Sequence, residues 1–227
     1  LPFGASAQGK KDSVVIGMVL EPAPGLDPTT GAAAAIGEIV HYNLFEGLTK
    51  INQNGSVSPL LAESWTISPD QKTFTFKLRK GVKFQNGNAF TSADVKDTFE
   101  RDAAEKSTNK RKATFANMAK IDTPDPGTVV ITLKEPNPLL LFNLGENTAV
   151  ILDPSTAADD GNHPVGTGPF KFENWIKGSS VTLVKAATYR DPGSIKLDKI
   201  TFKFISDPAA QVAALLAGDV DAFPTFA

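Results

Sequence analysis

The stretch from Ala62 to Arg101 constrains this 227-residue chain more than any other. Phe74, Phe76 and Leu78 alternate with Thr73, Thr75, Lys77 and Arg79. One face is therefore apolar and the other polar, the pattern of a half-buried strand. Ser68-Pro69-Asp70 supplies turn chemistry ahead of it, and Ala62 to Ile67 reads as the preceding strand. Gly81 and Asn86-Gly87 punctuate two further short apolar runs, Val82 to Phe84 and Ala89-Phe90. Thr91-Ser92-Ala93-Asp94 reads as a capping box. A hydroxyl there accepts a hydrogen bond from a free helix amide, and a carboxylate suits the positive end of the helix. Val95 and Phe99 then share one helical face.

Elsewhere the same rules apply. Val14 to Leu20 is a continuous apolar run, which predicts a strand buried on both faces. It runs into Glu21-Pro22-Ala23-Pro24-Gly25-Leu26-Asp27-Pro28, where the prolines stop the strand and stiffen the loop. Ile36, Ile39, Val40, Asn43 and Leu44 recur at helical spacing within Ala32 to Leu44, and Leu48 to Ile51 is a short strand closed by Asn54-Gly55. Asp122 to Gly127 reads as a turn, and Thr128 to Lys134 as a second amphipathic strand. Asn137 and Pro138 open a short buried helix, Leu139 to Leu144. Lys199 to Ile205 alternates as a strand. Asp207-Pro208 then caps a helix with Val212, Leu215 and Leu216 on one side, ended by Gly218. Asp219 to Phe223 begins another strand, which leaves Phe223 and Phe226 with nothing after them to bury them.

Composition removes several functions. The net charge is -2, and the basic cluster Lys106 to Lys112 reads as a solvated face, so nucleic acid is not an expected partner. No run of 18 apolar residues occurs, so no transmembrane helix or direct membrane insertion is expected. The absence of cysteine excludes disulfides, thiolate metal sites and a cysteine nucleophile. The two histidines lack metal-ligand spacing, and His41 reads as a packing or surface residue. No metal and no cofactor is expected. Neither a Gly-x-Ser-x-Gly elbow nor a Walker or dinucleotide glycine spacing is present. The acidic pairs Asp159-Asp160 and Asp219 with Asp221 read as caps and solvated turns. At the start, Leu1 to Gln8 fits either the tail of a secretory signal, with Ala5-Ser6-Ala7 as the small-x-small site, or a loose terminus.

The central block resembles the family 5 extracellular solute-binding proteins of ABC importers. The matching residues are Leu61-Ala62-Glu63-Ser64-Trp65, the strand Thr73 to Arg79, Gly81-Val82-Lys83-Phe84, Asn86-Gly87, and Phe90 to Val95 with Phe99. A second match is His163-Pro164-Val165-Gly166-Thr167-Gly168-Pro169-Phe170, continued by Phe172, Trp175, Gly178, Val181 to Val184 and Tyr189. The segment Tyr42 to Leu48 is similar to the family as well, whereas Arg190 stands where the family usually carries tryptophan. The resemblance covers nearly the whole chain but only the first half of a family member. It implies a mixed α/β (α+β) fold: a periplasmic-binding-protein-like lobe (class II/type C), a mixed β-sheet flanked by helices, plus an accessory β-rich subdomain, with the second lobe missing. The boundaries it implies are a terminus at 1–12, a discontinuous lobe at 13–46 and 160–227, and an accessory subdomain at 47–159.

What the resemblance implies about function is capture of a solute between two hinged lobes, with no catalysis, and delivery to the membrane permease of an ABC importer from the periplasm. Di- or oligopeptides are the expected solute; nickel chelates, opines or sugars are the alternatives in the family. The loops Glu21-Pro22-Ala23-Pro24 and Thr167-Gly168-Pro169-Phe170 are the expected contacts, offering backbone amides and carbonyls. Glu21 either faces a cationic solute group or forms a loop salt bridge. Glu146 and Asn147 are further expected contacts. Outside this class stand a hydrolase working through surface carboxylates and a partner-binding module with no small ligand.

Overall fold

A computed structural model describes residues 11–224. The secretory-signal reading of residues 1–12 and the fate of Phe226 therefore fall almost wholly outside the described residues. In chain order the elements are β1 (Ser13–Met18), α1 (Ala34–Val40), β2 (Thr49–Ile51), β3 (Val57–Pro59), β4 (Ala62–Ile67) and β5 (Thr73–Leu78). Next come α2 (Ser92–Ala103), α3 (Lys112–Ala116), β6 (Met118–Asp125), β7 (Thr128–Leu133) and α4 (Leu140–Asn143). The last are β8 (Phe170–Ile176), β9 (Ser180–Lys185), β10 (Lys199–Phe204) and α5 (Pro208–Ala217). By packing, the described residues divide into two compact units: 22–172 with 186–192, and 11–21 with 173–185 and 193–224.

The larger unit is built on the antiparallel sheet β4-β5-β7-β6. Its register sets Phe74 opposite Ile131 and Phe76 opposite Val129. The alternation read in β5 is realised: Phe74, Phe76 and Leu78 are buried and Lys77 is exposed. Val95 and Phe99 of α2, with Phe115, join them in one core. The capping box forms, with the Thr91 amide donating to the Asp94 carboxylate at 2.7 Å. The strand β6 escaped the sequence reading. The stretch read as a turn at 122–127 is mostly the end of β6, and only Pro126-Gly127 turns. Pro124 is tolerated because β6 is an edge strand and its register slips between Asp122 and Asp125.

The smaller unit carries the sheet β1-β10-β9-β8, in which β1 runs parallel to β10 and β10 antiparallel to β9. Its first strand departs from expectation: β1 is buried only at Gly17 and Met18 and is half-buried elsewhere. Among the described residues it lies at the sheet edge, with a bridge from Ile16 to Ala222 on its far side. Phe223 is buried after all, because its ring lies where a Cβ on Gly17 would sit. Asp207 caps α5 by accepting from the Ala210 amide at 2.8 Å, and Gly218 ends it at φ 79°. The face of α5 that packs is Gln211 and Ala214, whereas Val212, Leu215 and Leu216 are exposed.

The packing boundary also differs from the division read in the sequence. Residues 22–46 and 160–172 pack with 47–159 rather than with the edge-strand sheet. Hydrogen bonds cross that division: the Gln85 amide donates to the Gly166 carbonyl and the Ile151 amide to the Glu46 carbonyl, both at 2.9 Å.

Candidate functional site

The glycine-rich run after His163 is a joint within the larger unit. A Cβ on Gly166 would lie 2.1 Å from the Leu44 carbonyl oxygen, and one on Gly168 would lie 2.5 Å from that of Asn43. Both positions need glycine because backbone approaches backbone there. Gln85 secures the joint. Its side-chain amide donates toward the carbonyls of Leu44, Gly168 and Phe170 at 2.8–3.1 Å, and its oxygen accepts from the Gly166 amide at 2.7 Å. The Pro169 carbonyl accepts from the Ala186 amide at 2.9 Å. Thr167, Gly168, Pro169 and Phe170 are all buried. The amides of Gly168 and Phe170 and the carbonyls of Gly168, Pro169 and Phe170, expected to meet a solute, are engaged by the protein itself.

Beneath this joint lies a buried ion pair. Glu46 takes the Arg190 guanidinium in a two-pronged contact, Nη1 to Oε2 at 2.8 Å and Nη2 to Oε1 at 2.9 Å. The Thr167 hydroxyl donates to the same Oε2 at 2.8 Å. The Glu46 side chain is only 3 % exposed and that of Arg190 19 %. Arg190 is the residue that departs from the family pattern, and here it neutralises a carboxylate that burial would otherwise penalise. Neither Gln85 nor Glu46 stood out in the sequence. A lone Glu between Phe45 and Gly47 in an otherwise uncharged segment was the one available signal.

Glu21 closes the smaller unit's first segment and is held in place. Its Oε1 accepts from the Trp175 indole nitrogen at 2.8 Å and from the Gly178 amide at 2.9 Å. No salt bridge forms at Glu21 among the described residues, and both bonds end on one oxygen. Lys177 sits over the Trp175 ring, 2.9 Å from its centre. In the larger unit, Pro22 is buried while Ala23 and Pro24, joined by a cis peptide, are exposed. Glu146 is paired with Arg111 at 2.7 Å, and Asn147 presses its amide against Gly37 of α1. The Arg111 pairing accounts for one charge of the basic cluster read at Lys106 to Lys112.

Other titratable groups are arranged for structure. His41 contacts the Gly145 carbonyl through Nε2 at 3.0 Å, and burial lowers its pKa to about 4. The acids Asp159 and Asp160 do not converge: Asp159 is exposed and meets His163 at 2.7 Å, whereas Asp160 is fully buried. Asp221 meets Lys11 and the Val15 amide. No cluster of three or more metal-ligating side chains occurs among the described residues. No helix among them is long and apolar enough to cross a membrane.

Comparison with known proteins supplies what geometry alone does not. The description "Bacterial extracellular solute-binding proteins, family 5 Middle" matches residues 56–227. The glutathione-binding protein GsiB of Escherichia coli O1:K1 / APEC is 35% identical over 204 residues, which cover 88% of this chain and 40% of that protein. The chain thus spans about two fifths of the length of the curated relatives it matches. Among solved structures, AgaA of A. tumefacien R10 in complex with agropinic acid superposes with a TM-score of 0.85 at 37% identity, over 92% of this chain and 43% of that one. DppA of Helicobacter pylori in complex with the peptide STSA gives 0.82 at 28% identity, over 92% and 45%. The chain belongs to the family 5 extracellular solute-binding proteins of ABC importers.

Proposed function

We propose that this chain is part of a periplasmic protein that captures small peptides and presents them to the permease of an ABC importer. The observation that carries the reading is the state of Glu21. Its carboxylate is fixed through one oxygen by Trp175 and Gly178, so its orientation is set before any solute arrives. A fixed carboxylate with an oxygen to offer suits the cationic amino terminus of a peptide. The relatives are consistent with this chemistry, since GsiB is named for glutathione, a tripeptide, and DppA was solved with STSA. Pro22, Ala23 and Pro24 extend the proposed contact along the chain, and Glu146 and Asn147 are proposed contacts in the larger unit. Thr167 to Phe170 take a supporting part, since their polar groups already hold the joint with Asn43, Leu44 and Gln85. Periplasmic residence follows from the family's role in import.

A second reading has its own observation. AgaA, with the highest identity of the structures named above, was solved with an opine. The two are separated by mass spectrometry of solute released from protein purified from its complete reading frame. A peptide mixture supports the first reading and an opine the second. An empty protein that shows no thermal shift across peptides and opines rejects both.

A further inference from the structure

Three carboxylates and one guanidinium meet inside the larger unit. Arg101, in the last turn of α2, donates to Asp27 Oδ2 at 3.2 Å, to the Thr29 hydroxyl at 2.9 Å and toward the Ala157 carbonyl at 3.5 Å. Asp27 is already well served, since its Oδ1 accepts from both the amide and the hydroxyl of Thr29. The neighbouring Asp102 is 1% exposed and Asp160 is fully buried, and each leaves its Oδ2 without a hydrogen-bond partner. Asp160 Oδ1 accepts from the Val165 amide at 3.1 Å. The charged groups that act on Asp102 and Asp160 are Arg101, from α2 itself, and Asp27, from the loop after β1. Lys106 lines with Asp102 a hollow of about 240 Å³ but is exposed.

One cation, already paired, is not enough for three buried carboxylates. We propose that Asp102 and Asp160 hold protons in the folded protein and form with Asp27 and Arg101 a proton-operated latch. The latch joins three segments: 25–31, 101–109 and 153–165. Leu26 and Gly161 seal it by an amide-to-carbonyl bond of 2.8 Å. When the two acids lose their protons, two uncompensated charges with unpartnered oxygens are left in the interior, and these segments loosen. Burial pushes Asp102 up to about 8 and Asp160 up to about 7, which puts the release at or just above neutrality. The loosened segment 25–31 follows Pro22–Pro24 directly in the chain. The latch itself depends on proton occupancy alone and not on any solute.

Carbon-13 NMR of protein labelled at its aspartate carboxyls, titrated from pH 5 to 9, reads the protons directly. Two carboxyls are expected to titrate near or above neutrality, one vanishing in Asp102→Asn and the other in Asp160→Asn. Titration of every aspartate below pH 5 overturns the latch, and because this is read on the unmodified protein it holds even where a variant fails to fold. Hydrogen exchange supplies the second readout. From pH 6 to 8.5, amides of 157–165 are expected to speed up several-fold beyond their intrinsic rise in the unmodified protein. In Asp102→Asn/Asp160→Asn that excess is expected to disappear. Parallel behaviour of the two proteins overturns the coupling.

Discussion

Arg190→Leu is the most informative single change to the fold. Glu46 would keep one neutral donor, the Thr167 hydroxyl, and lose both charged ones while remaining buried. Breaking a buried ion pair from one side costs about 3–5 kcal/mol, chiefly the penalty of the abandoned charge. Domains of this kind are stable by about 5–15 kcal/mol, so the loss is a large fraction of the whole. For a unit of this size it corresponds to a fall in melting temperature of roughly 10 °C. Removing both partners, in Glu46→Leu/Arg190→Leu, abolishes the charge problem, so the double variant is expected to be more stable than the single one. The two tryptophans make the assay selective, because Trp65 lies in the larger unit and Trp175 in the smaller. In a Trp175→Phe background, urea unfolding followed by tryptophan fluorescence reports on the unit that contains Glu46 and Arg190. A loss below about 1 kcal/mol for Arg190→Leu, the range of exposed pairs, refutes the argument. So does a double variant that loses the sum of the two single effects.

Further outcomes follow from the same geometry. Gln85→Leu removes the side-chain partner of the Gly166 amide and of the Gly168 and Phe170 carbonyls, while the Leu44 carbonyl keeps the Gly168 amide, and is expected to cost about 2–4 kcal/mol in urea unfolding. Gly166→Ala drives a methyl group into the Leu44 carbonyl and is expected to prevent soluble expression or cost more than about 3 kcal/mol. Gly178→Ala, at φ 73° in open space, should cost only about 1–2 kcal/mol of backbone strain. His41 is neutral in the fold, with its pKa lowered to about 4 by burial against an unfolded value of 6.5. Its contribution is therefore complete above pH 6.5 and lost as pH falls from 6.5 to 4, amounting at most to roughly 3 kcal/mol. Comparing the urea midpoints of the unmodified protein and His41→Gln across that window isolates it.

Much of the fold was legible because it rests on local rules. The alternation in β5, the Thr91–Asp94 box and the Asp207–Gly218 helix each carry their signal within a few residues. The misreadings are tertiary. The apolar run in β1 says nothing about an edge position, Pro124 hides a strand that only its place at the sheet margin permits, and the leucines of α5 do not reveal which stripe packs. The site shows the same divide. The glycines after His163 marked a close backbone approach correctly, but the sequence could not say that the approaching chain is Asn43-Leu44 rather than a solute. The partners Gln85–Gly166, Glu46–Arg190 and Asp27–Arg101 lie 74 to 144 residues apart, too far for any spacing rule to join them.

Glu21→Gln tests solute capture most directly, because an amide keeps an oxygen for Trp175 and Gly178 while removing the charge. Titration calorimetry on protein from the complete reading frame compares the two forms against short peptides with free and with acetylated amino termini. The proposal predicts saturable binding of the free peptides, weakened at least tenfold by Glu21→Gln and by acetylation, or about 1.4 kcal/mol. Peptides that bind neither form, or bind both forms equally, contradict it.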